Sequence, residues 1–96
     1  MATREDIIEK LRTFKLSVAD RYPIASLALF GSFARGEQNA SSDIDVLVEF
    51  DGRIGSAFFE MADELEKQMG AKVDLVSKNG IKPKYYSAIE SDLIYV

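Results

Sequence analysis

Residues Ile24–Phe50, IASLALFGSFARGEQNASSDIDVLVEF, decide the fold. Ile24 to Phe30 is apolar except for Ser26, the pattern of a strand covered on both faces, and Gly31 ends it. Such a strand is central in its sheet. Gly31 to Ser42 is rich in Gly, Ser and Asn and forms the longest polar connection of the chain, with Phe33 to Arg35 predicted as a turn of helix. Asp43 to Phe50 then alternates. Ile44, Val46, Val48 and Phe50 point one way, while Asp43, Asp45, Leu47 and Glu49 point the other. The second strand therefore carries two carboxylates on one face.

Outward from this pair, the pattern alternates helix and strand. Thr3-x-x-Asp6 predicts a capped helix in which Ile7, Ile8, Leu11, Phe14, Val18 and Tyr22 recur at helical spacing until Pro23. After a Gly52–Gly55 loop, Ser56 is the expected cap of a crossover helix whose buried stripe reads Phe58, Phe59, Ala62, Leu65 and Met69, stopped by Gly70. Lys72 to Ser77 is a third strand, with Asp74 read as an unusual core residue inside an otherwise apolar core of Val73, Leu75 and Val76. Asn79-Gly80 marks a turn, Pro83 opens a short helix to about Ser91, and Leu93 to Val96 is a last extended piece. The expected fold is a single α/β (α+β) domain over residues 1–96: a small, mixed, twisted sheet of three or four strands, helices mainly on one face and the acids at the other.

Composition narrows the chemistry. Ninety-six residues, 47% hydrophobic and 29% charged, suffice for one core and not for two. The net charge of -4 argues against a broad basic surface for duplex nucleic acid, so no direct nucleic-acid binding is expected. The chain has no cysteine and no histidine, which removes disulfides, zinc sites built on thiolate or imidazole, thiol nucleophiles and Ser-His-Asp catalysis. Carboxylates are the strong metal ligands that remain. No run approaches the ~18 apolar residues of a membrane span and the first residues are charged, so no membrane association and a cytoplasmic location are expected.

Gly31 and Gly36 have the spacing of a Walker A loop, but Glu37-Gln38 stands where that loop needs Lys followed by Ser or Thr. A Gly31-Ser32 pair after a buried strand still exposes backbone N–H groups and a hydroxyl with no side-chain wall, which suits phosphate; taken alone, it reads equally as a plain strand-to-helix turn. Asp43 and Asp45 are about 6.6 Å apart at their Cα atoms, near enough for one cation. With no nitrogen or sulfur ligand at hand, that ion is Mg2+ or Mn2+. An isolated Asp-x-Asp is also what a solvated strand end looks like, and Asp74 can be a tolerated charge at a strand end. If the third strand lies beside the second, Asp74 completes a three-carboxylate cluster opposite the Gly-Ser turn. These are the parts of two-metal phosphoryl or nucleotidyl transfer, in which ions about 3.5 to 4 Å apart serve the attacking and leaving oxygens.

The joint pattern resembles the polymerase-beta-like nucleotidyltransferases, and within them the minimal nucleotidyltransferases, or MNT-type antitoxins. Gly31-Ser32, then ten residues, Phe33 to Ser42, then Asp43-Ile44-Asp45 match the hallmark of that family without a gap. Arg35-Gly36, Ser42 before the first acid, the apolar Val46-Leu47-Val48, and Val73-Asp74-Leu75 match as well, and the likeness runs from the leading helix to Ile94-Tyr95-Val96.

The resemblance implies a metal-dependent transfer of AMP from ATP to a hydroxyl, with two Mg2+ or Mn2+ ions. It assigns Asp43 and Asp45 to the metal on the triphosphate, Asp74 to the second metal and the acceptor's proton, and Gly31 and Ser32 to the β and γ phosphates. Arg35 and Ser42 match as further nucleotide-binding positions, although Arg35 reads nearly as well as a solvated turn residue. In toxin–antitoxin members the acceptor is a tyrosine of a HEPN-domain ribonuclease toxin, so a HEPN-type partner is implied. The short chain independently leaves few residues for recognising an acceptor. Phe58, Phe59, Tyr85, Tyr86 and Tyr95 read first as core and second as an exposed patch. Two rivals remain: an antitoxin that only covers its partner, and nucleotidyl transfer to a small molecule.

Overall fold

The structure, a computed structural model, describes residues 2–96. Thr3 opens α1 (Arg4–Ser17) with a reciprocal cap: its hydroxyl accepts the Asp6 N–H at 3.1 Å while its own N–H donates to the Asp6 carboxylate at 3.2 Å. The helix stops at Ser17, short of the predicted run to Pro23. The Ser17 hydroxyl donates to the Phe14 carbonyl at 2.9 Å, a local bond that competes with helix continuation, and a turn follows. Val18 and Tyr22 are buried all the same, presented from that turn instead of from the helix.

β1 (Ile24–Phe30) leads straight into α2 (Gly31–Arg35); after a polar loop come β2 (Ile44–Phe50), α3 (Ala57–Met69) and β3 (Val73–Ser77). α4 (Pro83–Ile89), a 3-10 turn (Glu90–Asp92) and β4 (Ile94–Tyr95) complete the chain. The four strands are ordered β3-β2-β1-β4, with β1 antiparallel to both neighbours and β2 parallel to β3. A parallel pair needs a crossover, and α3 supplies it. β1 is central, as its apolar run requires.

The two faces of the sheet are unequal. Ile7, Leu11 and Phe14 of α1 and Met61, Leu65 and Met69 of α3 pack on Leu27, Leu29, Ile44, Val46 and Val48, forming the larger core. On the opposite face a smaller cluster of Phe30, Leu47 and Ile89 sits under α4. Tyr22 donates its hydroxyl to Glu64 at 3.1 Å, and Arg21 pairs with the same carboxylate, fastening the turn after α1 to α3.

Three expectations are corrected here. The buried stripe of α3 is Met61, Leu65 and Met69 with Phe58 half-buried; Ala62 is half-buried and Phe59 is 73% exposed. Phe59 follows Phe58 by about 100° of helix rotation, which carries it off the packing stripe, and it meets Phe58 edge-on at 5.5 Å. Ser56 stands at the helix start with helical backbone angles and no capping side-chain bond. Asp74 is exposed and not a core residue, because β3 is an edge strand whose α4-side face is left open at its first residues.

The corrected stripe is testable by urea denaturation. Leu65→Ala removes a fully buried side chain and is expected to destabilise by about 2 to 5 kcal/mol, whereas Phe59→Ala should change stability by less than about 0.5 kcal/mol. Similar losses from both would mean that the helix is rotated from the phase described.

Candidate active site

The register of the sheet assembles the site. Phe30, the last residue of β1, pairs with Asp45, and Asp45 in turn pairs with Asp74 across the parallel β2–β3 ladder. Partners on neighbouring strands are about 4.8 Å apart, so Asp45 is flanked by the end of β1 on one side and by Asp74 on the other. Asp43 precedes β2 by one residue, is half-buried, and acts electrostatically on Asp45. The three carboxylates thus share one region on the α4 side of the sheet. Among the described residues no three carboxylates are gathered around a single point at metal-coordinating range.

Gly31 meets this cluster directly. Its φ is +77°, a conformation that side chains rarely adopt, and a Cβ placed on it would overlap Oδ2 of Asp45. Asp45 therefore rests against the backbone of the strand-to-helix turn, where only glycine leaves room. The position loses water on one side and gains two anions on the other. Burial first, then Asp74, then Asp43 push the Asp45 carboxyl above its ordinary range, and Arg35 pulls weakly the other way.

Beyond the glycine, Ser32 is half-buried in the first turn of α2, and Phe33 and Ala34 anchor that turn in the interior. The helix closes immediately. Glu37 N–H donates to the Ser32 carbonyl at 2.9 Å and Gly36 N–H to that of Phe33 at 3.3 Å, with Gly36 at φ +72°, a Schellman motif. This explains Arg35-Gly36 structurally: the glycine ends the helix, and the arginine is left at its rim. Arg4 reaches over from α1 to donate to the Ala34 carbonyl at 3.1 Å.

Within the chain, Arg35 and Ser42 each have polar partners of their own. Arg35 Nε donates to Glu37 at 2.9 Å and Nη1 to Asp92 at 2.7 Å, and both bonds hold the guanidinium more firmly in its charged form. Ser42 is turned into its own loop, where its hydroxyl accepts the Asn39 N–H at 2.9 Å and its N–H donates to the Asn39 carbonyl at 3.1 Å. It shapes the approach to Asp43. Sequence reasoning missed Asp92, which lies 57 residues from its partner arginine with no local pattern to mark it, and it missed the steric reason for Gly31. Two surface hollows, one lined by Asp63, Glu66, Lys67 and Lys72 and one by Thr3, Arg4, Arg35 and Gln38, do not include the acids.

With this geometry in view, the comparisons fall on one family. The nucleotidyltransferase domain family matches residues 11–96. A Methanocaldococcus jannaschii protein provisionally named protein adenylyltransferase MJ1379 is 48% identical over 100 residues, spanning 100% of both chains. Protein adenylyltransferase MntA of Thermococcus cleftensis is 35% identical over 98 residues, spanning 100% of this chain and 98% of that one. Among solved structures, one provisionally assigned as a minimal nucleotidyltransferase superposes with a TM-score of 0.81 at 31% identity, covering 97% of this chain and 95% of that one. A toxin–antitoxin complex with AMP-PNP gives a TM-score of 0.76 at 23% identity, covering 91% of this chain and 69% of that one. A tri-AMPylated Shewanella oneidensis HEPN toxin in complex with MNT antitoxin gives 0.62 at 22%, covering 96% and 66%. At such identities those two likenesses are of fold alone. With a family match over almost the whole length and relatives that align end to end, the chain belongs to the nucleotidyltransferase domain family, as one of its minimal, MNT-type members.

Proposed function

We propose that this nucleotidyltransferase moves AMP from ATP, with two Mg2+ or Mn2+ ions, to a tyrosine hydroxyl of a HEPN-type ribonuclease toxin, and so acts as its antitoxin. The observation that carries the reading is the contact between the Gly31 backbone and the Asp45 carboxylate, with Asp74 in register beside it. An anion-binding turn and a cation-binding cluster meet at one point there. The names of the relatives and the toxin–antitoxin complexes of the same fold support the choice of acceptor.

The donor set fits a hard divalent ion: carboxylate oxygens only, with burial and two neighbouring acids raising the Asp45 pKa, a repulsion that a cation would relieve. In the proposed roles, Asp43 and Asp45 would hold the ion that accompanies the triphosphate, and Asp74 would join them at the second. When bound, the ions supply neutralisation of the charge that builds on the phosphates during transfer. Gly31, lacking a Cβ, lets phosphate oxygens approach the turn, and the Ser32 hydroxyl and nearby N–H groups receive the β and γ phosphates. The acceptor oxygen forms its bond to the α-phosphorus as the α–β bridging bond breaks and pyrophosphate leaves. Asp74, exposed at the sheet edge, takes the acceptor's proton.

Incubation of the neighbouring gene's product, as the candidate HEPN-type toxin, with this protein, ATP and Mg2+, followed by intact-mass spectrometry, should show added AMP masses. Asp43→Asn/Asp45→Asn should still co-purify with the toxin yet add no AMP and fail to rescue growth at low expression. Rescue equal to wild type by that double variant would overturn the catalytic reading in favour of occlusion.

Asp45 also predicts a pH dependence for the metal-free protein. A carboxyl whose folded-state pKa is raised favours folding only while protonated, so its contribution is present below the ordinary value of 3.8 and is lost as pH rises through the raised one. In chelator, Asp45→Asn should therefore be at least as stable as wild type at neutral pH, with the difference shrinking toward pH 4. Millimolar Mg2+ should raise the melting temperature of wild type and not of the variant. Thermal melts across pH check both statements, and a badly destabilised Asp45→Asn would assign the residue a structural role instead.

Gly31→Ala and Gly36→Ala both force a left-handed residue, at about 1 kcal/mol each, but only the first pushes a Cβ into Asp45. ATP affinity measured by calorimetry should fall steeply for Gly31→Ala and little for Gly36→Ala. Equal affinities would remove the turn from the site.

A further inference from the structure

Arg35 is the last residue of the short helix that Gly31 and Ser32 open, and its guanidinium is held from two sides. Glu37, two residues on and 65% exposed, is an ordinary surface partner for Nε. Asp92 differs: its side chain is 19% exposed and it meets Nη1 at 2.7 Å from a distant part of the chain. Both members of this pair are tied to the same strand. β1 runs directly into α2, which carries Arg35, while β4 pairs with β1 through Leu29–Ile94 and Ala28–Tyr95, so the 3-10 turn bearing Asp92 is fixed two residues upstream of that ladder. The Val96 N–H closes the ladder on the Leu27 carbonyl at 3.0 Å. The guanidinium is therefore braced against a frame that ends at Gly31.

A guanidinium has five N–H donors in one plane, and two bonds of this kind occupy two of them. The remainder are free to act on an anion without disturbing either brace. An ion pair with one partner 44% exposed adds little to stability, so stability does not explain why a half-covered acid is spent on this arginine.

The geometry points to Asp92 as a positioning residue that aims the free donors of Arg35 at the phosphate oxygens of the nucleotide. This rests on the reading of the Gly31–Ser32 turn as the phosphate cradle. The opposite sign is physically distinct: if Asp92 competed with phosphate for the guanidinium, removing it would tighten binding.

The test is calorimetric binding of a non-hydrolysable ATP analogue with Mg2+ to the full chain. Asp92→Asn is expected to weaken binding about tenfold, the size of one lost charge-assisted hydrogen bond, with a melting temperature close to wild type. Asp92→Glu should restore most of the affinity. In an Arg35→Lys background, which keeps the charge but loses the planar fork, adding Asp92→Asn should have no further effect. The Arg35 Nη1 protons, which donate to Asp92, should give resonances distinct from those of exposed arginines in wild type and merged with them in Asp92→Asn. Unchanged or tighter binding by Asp92→Asn, or full additivity with Arg35→Lys, overturns the assignment while leaving the cradle intact. Wild-type protein that binds no nucleotide, or binding unaffected by Gly31→Ala, overturns the cradle itself and this role with it.

Discussion

The close approach of Asp45 to the backbone of Gly31 is the constraint on which the site depends. It follows from the pairing of Phe30 with Asp45, which brings the first residue past β1 alongside the first acid within β2. A Cβ there would displace the Asp45 side chain, and the positive φ that turns the chain into α2 asks for glycine a second time. Two independent reasons converge on one position. What results is a seam where backbone suited to an anion touches side chains suited to a cation. The seam is unfavourable by itself, because burial and two like charges crowd the Asp45 carboxylate. A domain that keeps such a feature needs stability from elsewhere, and the larger core between the sheet and α1 and α3 provides it on the far face.

Much of this was legible in the sequence because it rests on short-range periodicity. The alternation of Asp43 to Phe50 assigned each residue to a face, the apolar run of Ile24 to Phe30 made β1 central, and Thr3-x-x-Asp6 announced its own cap. The meeting of Asp45 with Asp74 was conditional on β3 lying beside β2, and the parallel ladder supplies that condition. What escaped was set by tertiary geometry. The phase of α3 could not be fixed within 100° when Phe58 and Phe59 are adjacent and both apolar, so Phe59 was assigned to the interior. Asp74 looked buried because its neighbours are apolar, yet an edge strand can bury those neighbours and leave the acid open. Arg35 and Ser42 carried motif positions but no information on their partners, and the bond to Asp92 depends on where β4 docks.

The distribution of polar groups around the sheet gives the molecule a division of labour. One end of the α4-side face carries Asp43, Asp45 and Asp74; toward the other end, Glu49 accepts from Ser26 at 3.3 Å and pairs with Lys78, whose ammonium lies 5.4 Å from the Tyr86 ring centroid. Between them Leu47, Phe30 and Ile89 form an apolar saddle under α4. Charge at the second end is internally compensated. At the first, it is left in excess, and the excess lies beside a turn with exposed donors.

The parallel pairing of β2 and β3 has a consequence for how such a domain can diverge. In an antiparallel hairpin the connecting turn dictates register, so a change of loop length can shift every facing residue. Here the two acids are brought together by strands that run the same way, and the connection between them leaves the ladder entirely, passing through α3 on the opposite face. Lengthening or replacing that crossover alters the surface the domain shows while the spacing of Asp45 and Asp74 stays a property of the ladder. A slip of a single residue within the ladder is the opposite case, since it would turn Asp74 to the apolar side. The architecture thus separates a freely variable exterior from an invariant pair of neighbours, and that separation allows one small catalytic frame to be fitted with different outer surfaces.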